Sequence, residues 1–242
     1  MSILKHIYFD CKGRGQPIRY LLADNDIPHD DSIIPVFSEA AEADAKVNPI
    51  TLDKIFNHSF DKDYSYSEEW KKLKPEVPFN VLPVLKTPEG QVISQTNAIL
   101  RYLARKYDLY GTTEDDVTQI DILIEHESEG REQIYVRAYG DYHATQREKL
   151  VRFILPDNLR PLENELEKNN GGTGFLVGEK ISFADYKIAD FLDTCLAVDS
   201  TILEPYPLLK AYLERILSRP KIAELRGKEP YKSLTFLCCR II

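Results

Sequence analysis

A proline set among apolar residues that otherwise read as a strand, in Asn80-Val81-Leu82-Pro83-Val84-Leu85, narrows the folds open to this chain most. Pro83 has no N–H to give to a sheet ladder. It suits a strand entry only where its peptide bond is cis and the neighbouring backbone serves something other than pairing. Pro88-Glu89-Gly90 then reads as a turn, a second strand follows, and Gln95-Thr96 opens a helix running through Asn97-Ala98-Ile99-Leu100-Arg101-Tyr102-Leu103. Donors on the backbone and side chains at such a helix start make a seat for a carboxylate.

The rest of the first half fits around that pattern. Ile3 to Phe9 alternates enough to be a strand. Gly13-Arg14-Gly15-Gln16-Pro17 turns into a helix, with Pro17 in its first turn and Ile18, Leu21 and Leu22 at helical spacing. Asn25 to Pro28 stops it. Ile33 to Phe37 reads as a second strand, placed at an edge by Pro35. Ser38 caps an expected short helix from Glu39 to Val47, ending before Pro49. From there to Trp70 no period stands out.

Beyond Gly111 the pattern changes to long amphipathic helices. They are expected at Val117 to Tyr139, at Gln146 to Ile154 leading into Leu159 to Glu167, at Phe183 to Val198, at Leu208 to Ser218 and near Ile222. Asn169 to Gly174 is a break. The fold class is therefore an α/β first domain over residues 1–109 and an all-α second domain over 112–242.

Charge and composition exclude some partners. A net charge of −8 and a pI near 5.3 argue against nucleic acid. No run of 18 apolar residues is present, so no membrane span is expected. Met1 to His6 lacks the apolar core of a signal peptide, and a cytoplasmic location is expected. Cys11, Cys195, Cys238 and Cys239 have no metal-ligand spacing and read as free thiols in a reducing compartment. The acidity is local: residues 24–69 hold twelve acidic side chains against three lysines, a net of −9, which leaves the remainder near +1.

Tyr8-Phe9 before Gly13-Arg14-Gly15, then Trp70, Lys74, Pro78-Phe79, Leu82-Pro83 and Gln95-Thr96, resemble the cytosolic glutathione transferases over nearly the whole length. The resemblance is to the tyrosine type, which includes the alpha, mu, pi and sigma classes. It is nearest to sigma, the class of the glutathione-dependent prostaglandin D synthases. Ile181-Ser182-Phe183-Ala184-Asp185-Tyr186 strengthens it: Ser182 and Asp185 can close a capping box beside an Ile181–Tyr186 staple, a structural feature.

That resemblance implies a thioredoxin-like first domain, glutathione as co-substrate, no metal, a homodimer and a hydrophobic electrophile as second substrate. Tyr8 would hold the thiolate, helped by Arg14. Trp70 and Lys74 would take the glycine carboxylate, Leu82 beside Pro83 the cysteinyl backbone, and Gln95 with Thr96 the γ-glutamyl end. Glu129 would reach the γ-glutamyl amine of the partner subunit, where the family has aspartate. Phe9, Arg14, Arg131, Tyr135 and the C-terminal Phe236-Leu237 would line the acceptor pocket, and Phe79 would wedge into the partner.

Four departures besides Glu129, and one alternative, accompany the resemblance. Val81 stands where sigma members often carry lysine, Thr96 replaces the usual serine, and the α-helix through Arg131 and Tyr139 has no tryptophan, so prostaglandin synthase activity is not transferred. An acidic insertion at about 29–69 is unlike the family. Glu127 reads as a solvated helix face, and Cys11, His126 and His143 as structural. The alternative is a non-catalytic relative with a binding or structural role.

Overall fold

The computed structural model describes residues 3–38, 66–138 and 144–236. The expected helix from Glu39 to Val47, His143, Leu237 and the cysteines at 238 and 239 lie outside these. Strand β1 (Leu4–Phe9) leads through the Gly13–Gly15 turn into helix α1 (Gln16–Asp24), and strand β2 (His29–Ile34) follows. Helix α2 (Glu68–Leu73) precedes β3 (Val84–Lys86), β4 (Val92–Ser94) and helix α3 (Thr96–Lys106). The sheet order is β2-β1-β3-β4, with β1 parallel to β2 and the other pairs antiparallel.

The second strand differs from expectation. It runs over His29–Ile34, not Ile33–Phe37, and ends just before Pro35. Its polar residues hid it, because Asp30 and Asp31 meet partners that the sequence does not display. Asp31 binds the Nδ1 of buried His6 at 2.6 Å and accepts from Arg19 Nε at 2.9 Å, while Lys5 pairs with Asp30 at 3.4 Å. The acidic stretch is thus not one inserted block: its start builds an edge strand, Phe37 bridges to Tyr66, and Glu68 opens α2.

This buried cluster has a pH signature. Burial lowers the pKa of His6 despite the pull of Asp31. Burial would raise that of Asp31, but bonding to His6 and Arg19 holds it well below the usual carboxylate range. An unfolded histidine binds its proton near pH 6.5 and the folded one only lower, so its contribution to stability falls as pH drops below about 6.5. The depressed Asp31 contributes above about pH 4, a share lost only on further acidification. The stability margin of wild type over a His6→Gln variant should therefore shrink between about pH 7 and pH 5, by at most about 1.4 kcal/mol per unit. Thermal unfolding at each pH measures it, and a widening margin would refute the assignment.

The second half is helical: α4 (Glu114–Ala138), α5 (Ala144–Lys149) continuing through a wide turn at Leu150–Ile154 into α6 (Leu155–Lys168), then α7 (Phe183–Val198), α8 (Pro207–Leu217) and α9 (Pro220–Gly227). Helix α7 is buried along almost its whole length and lies against α1, α4 and α8. One apolar core runs from Leu4 and Leu21 through Leu100 and Ile124 to Phe191 and Tyr212, so the two halves share it. The Tyr186 hydroxyl donates to Asp24 at 2.8 Å and accepts from Asn25 at 3.0 Å, tying α7 to the end of α1.

Candidate active site

Tyr8 lies near the end of β1, beside Ile33 in register and only 5% exposed. The glycines of the following turn exist to let its ring in. A Cβ on Gly15 would stand 2.5 Å from Tyr8 Cδ1, and one on Gly13, where φ is +39°, would stand 2.6 Å from the hydroxyl. The turn thereby delivers the Arg14 N–H to the Tyr8 oxygen at 2.9 Å. Arg14 O in turn accepts from the Thr96 hydroxyl at 3.2 Å, which joins the turn to the start of α3.

A cavity of about 720 Å³ opens beside this turn. Arg14, Leu82, Pro83, Gln95, Thr96, Glu129 and Arg131 all border it, so residues far apart in sequence converge. The Leu82–Pro83 bond is cis, and Gln95 holds φ at +71° immediately before α3. A smaller cavity of about 250 Å³ is bordered by Tyr8, Arg14, Glu132, Tyr135 and Val136. Arg14 and Glu132 border both. The Arg14 guanidinium lies 4.6 Å from the centre of the Tyr135 ring, and burial pushes the Tyr135 phenol up to about 12.

Trp70, Phe9, Lys74 and Phe236, also expected in the site, border neither cavity, whereas Arg131 borders the larger one from a buried position. Trp70 is buried and meets Phe9 edge-on, with ring centres 5.3 Å apart. Phe9 therefore packs between Tyr8 and Trp70 and borders neither cavity. Lys74 sits over the Tyr66 ring at 5.6 Å and also borders neither. Arg131 is 3% exposed, with its guanidinium bound to Glu127 and, at 3.0 Å, to Asp190. Phe236 lies across Lys12, whose ammonium is 3.6 Å from the ring centre. His126 Nε2 bonds the Asn158 carbonyl at 2.9 Å, and Cys11 is fully buried.

The reading of Glu127 as solvated is wrong: its exposure is 0%. It is held between Arg131 and Lys187, and the Lys187 ammonium also donates to Ser128 at 2.9 Å. Asn97 donates to the same Ser128 oxygen at 3.2 Å. Asn97, Ser128, Glu132 and Lys187 all border a cavity, and sequence reasoning passed over all four. A signal existed for Lys187: it stands inside the apolar run Phe183-Ala184-Asp185-Tyr186-Lys187-Ile188-Ala189, where a charge needs a buried partner.

A mixed four-stranded sheet with a cis-proline loop, followed by a helical half, defines a two-part fold: a thioredoxin-like α/β unit and an all-α unit. Residues 39–105 match the family model for the glutathione S-transferase N-terminal domain, and residues 129–229 match that for the C-terminal domain. The chain is similar to glutathione S-transferase P 1 of Xenopus laevis, 34% identical over 92% of this chain and 93% of that one. Its structure resembles that of the Onchocerca volvulus Pi-class glutathione S-transferase, with a TM-score of 0.81, 29% identity and 98% of each chain covered. It also resembles prostaglandin synthase D of Nilaparvata lugens, with a TM-score of 0.71, 26% identity, and coverage of 95% and 100%. The chain belongs to the glutathione S-transferase family.

Proposed function

We propose that this protein conjugates the thiol of glutathione to electrophiles, with Tyr8 as the group that holds the thiolate. One observation carries the reading: Tyr8, its hydroxyl fixed by the Arg14 N–H in a glycine-lined turn, borders a cavity next to the one that Leu82, Gln95 and Thr96 border. A free thiol with pKa near 8.5 is only about 3% ionised at pH 7. Lowering that pKa by about two units takes roughly 2.7 kcal/mol, and one hydrogen bond to a charged acceptor supplies about 1.5–3 kcal/mol. The thiol proton then leaves to water, the sulfur forms a bond to the electrophilic carbon, and the leaving group departs with its electron pair.

In this reading the γ-glutamyl end lies against Gln95 and Thr96 and the cysteinyl backbone against Leu82. Glu129, exposed on α4, reaches a partner subunit's glutathione; Trp70 and Lys74, which border neither cavity, are assigned the glycine end on the family resemblance alone. Arg14, Tyr135 and the Val136 side border the electrophile, which is hydrophobic. The reading includes a homodimer, with Phe79, 79% exposed, set at the partner interface. Among the described residues no helix is long and apolar enough to cross a membrane. The spacing of Trp70, Lys74 and Pro78-Phe79 supports a sigma-like placement and the names of the relatives a pi-like one; the tyrosine chemistry is common to both.

Ultraviolet difference absorbance on adding glutathione tests this across about pH 5–9. Wild type should show thiolate at neutral pH, and Tyr8→Phe should move its appearance up by about one to two pH units. Binding without thiolate in either protein would refute the assignment and favour a non-catalytic role.

A further inference from the structure

The pair Arg14–Glu132 is the wall between the two cavities. Its Nη2–Oε2 distance is 2.7 Å, and both side chains are about half exposed. The two residues come from opposite halves of the chain, the β1–α1 turn and the C-terminal part of α4. Glu132 also extends an acidic row on one face of α4, with Glu125 and Glu129 at the preceding turns, and all three border the larger cavity. Among the described residues Arg14, its guanidinium over Tyr135, is the cation that borders the smaller cavity, and Glu132 already pairs with it.

Resting on the conjugation reading above, we infer that Glu132 is a specificity-determining residue that turns anionic electrophiles away from the acceptor cavity. An electrophile carrying a carboxylate must either displace Glu132 from Arg14 or sit uncompensated beside it, and both are unfavourable. An uncharged electrophile of the same shape meets neither obstacle. Removing the Glu132 charge reverses the preference, because a guanidinium free of its partner is a bidentate carboxylate seat.

A matched pair of acceptors tests it: a chlorodinitrobenzoate and the corresponding chlorodinitrobenzamide. Their kcat/KM values would be compared in wild type, Glu132→Gln and Glu132→Asp. The dissociation constants of the two S-aryl glutathione products, from titration calorimetry, would give a readout independent of turnover. Glu132→Gln should raise the benzoate-to-benzamide ratio about tenfold in both measurements, while Glu132→Asp, which keeps the charge, should stay within about twofold of wild type. A ratio unmoved in Glu132→Gln, or moved equally in Glu132→Asp, overturns the inference. Product affinities that shift as expected in a protein that turns over neither acceptor would support Glu132's role while refuting conjugation.

Discussion

Glu127→Ala is expected to lose about 3–5 kcal/mol of folding stability, the usual cost of removing one partner from a buried ion pair. The carboxylate is fully buried between Arg131 and Lys187, whose side chains are themselves 4% and 5% exposed. Burial would raise the pKa of Glu127, yet the two cations lower it, so it is ionised when folded. Without it, Lys187 loses the charge that opposes its own desolvation, and among the described residues Asp190 is the carboxylate left paired with Arg131. Urea unfolding measures the loss. The double variant Glu127→Leu/Lys187→Met should recover most of it, because apolar groups of similar volume replace charges that gain little net energy from burial. A loss under about 1 kcal/mol in Glu127→Ala would show the site to be solvated. The depressed carboxylate fixes the sign with pH: its contribution is present above about pH 4.3 and disappears as pH falls through the folded value.

Asp185→Ala should be similarly damaging, at about 3–5 kcal/mol, for a different reason. Its carboxylate accepts four hydrogen bonds: from the Leu176 N–H at 2.9 Å, the Ser182 N–H at 2.7 Å, the Ser182 hydroxyl at 3.0 Å and the Tyr212 hydroxyl at 3.0 Å. Alanine strands these donors inside the core, at about 1–3 kcal/mol for each left unmet. Burial raises the Asp185 pKa even though its hydrogen bonds oppose this, so the bonds and not the charge are the source of stability. Asp185→Asn, which keeps acceptor oxygen at the same place, should therefore lose clearly less than Asp185→Ala. Equal losses in thermal unfolding would refute this account.

The capping box around Asp185 was legible in the sequence because its parts are three residues apart and act on one helix start. Helix α7 itself begins and ends at the residues read from its pattern, Phe183 and Val198. Helix α3 was legible for the same reason, and so was the cis bond at Pro83, since proline carries its constraint within its own ring. The strand at His29–Ile34 was misplaced toward Pro35 because its polar side chains look like a loop until Arg19, His6 and Lys5 are beside them. Glu127 was misread because its neighbours Glu125 and Glu129 are exposed, and an acidic row gives no sign of which member turns inward.

Sequence alone therefore determined helices α3 and α7, the proline bend, the α7 cap and the small turn between Tyr8 and Gln16. Each of these depends on backbone restrictions or on side chains within a few positions of one another. Tertiary structure alone decided that Gly13 and Gly15 close on Tyr8, that Lys187 answers Glu127, and that Arg14 meets Glu132 across 118 residues. Burial and charge pairing depend on what folding brings alongside, and no local pattern records the partner's identity.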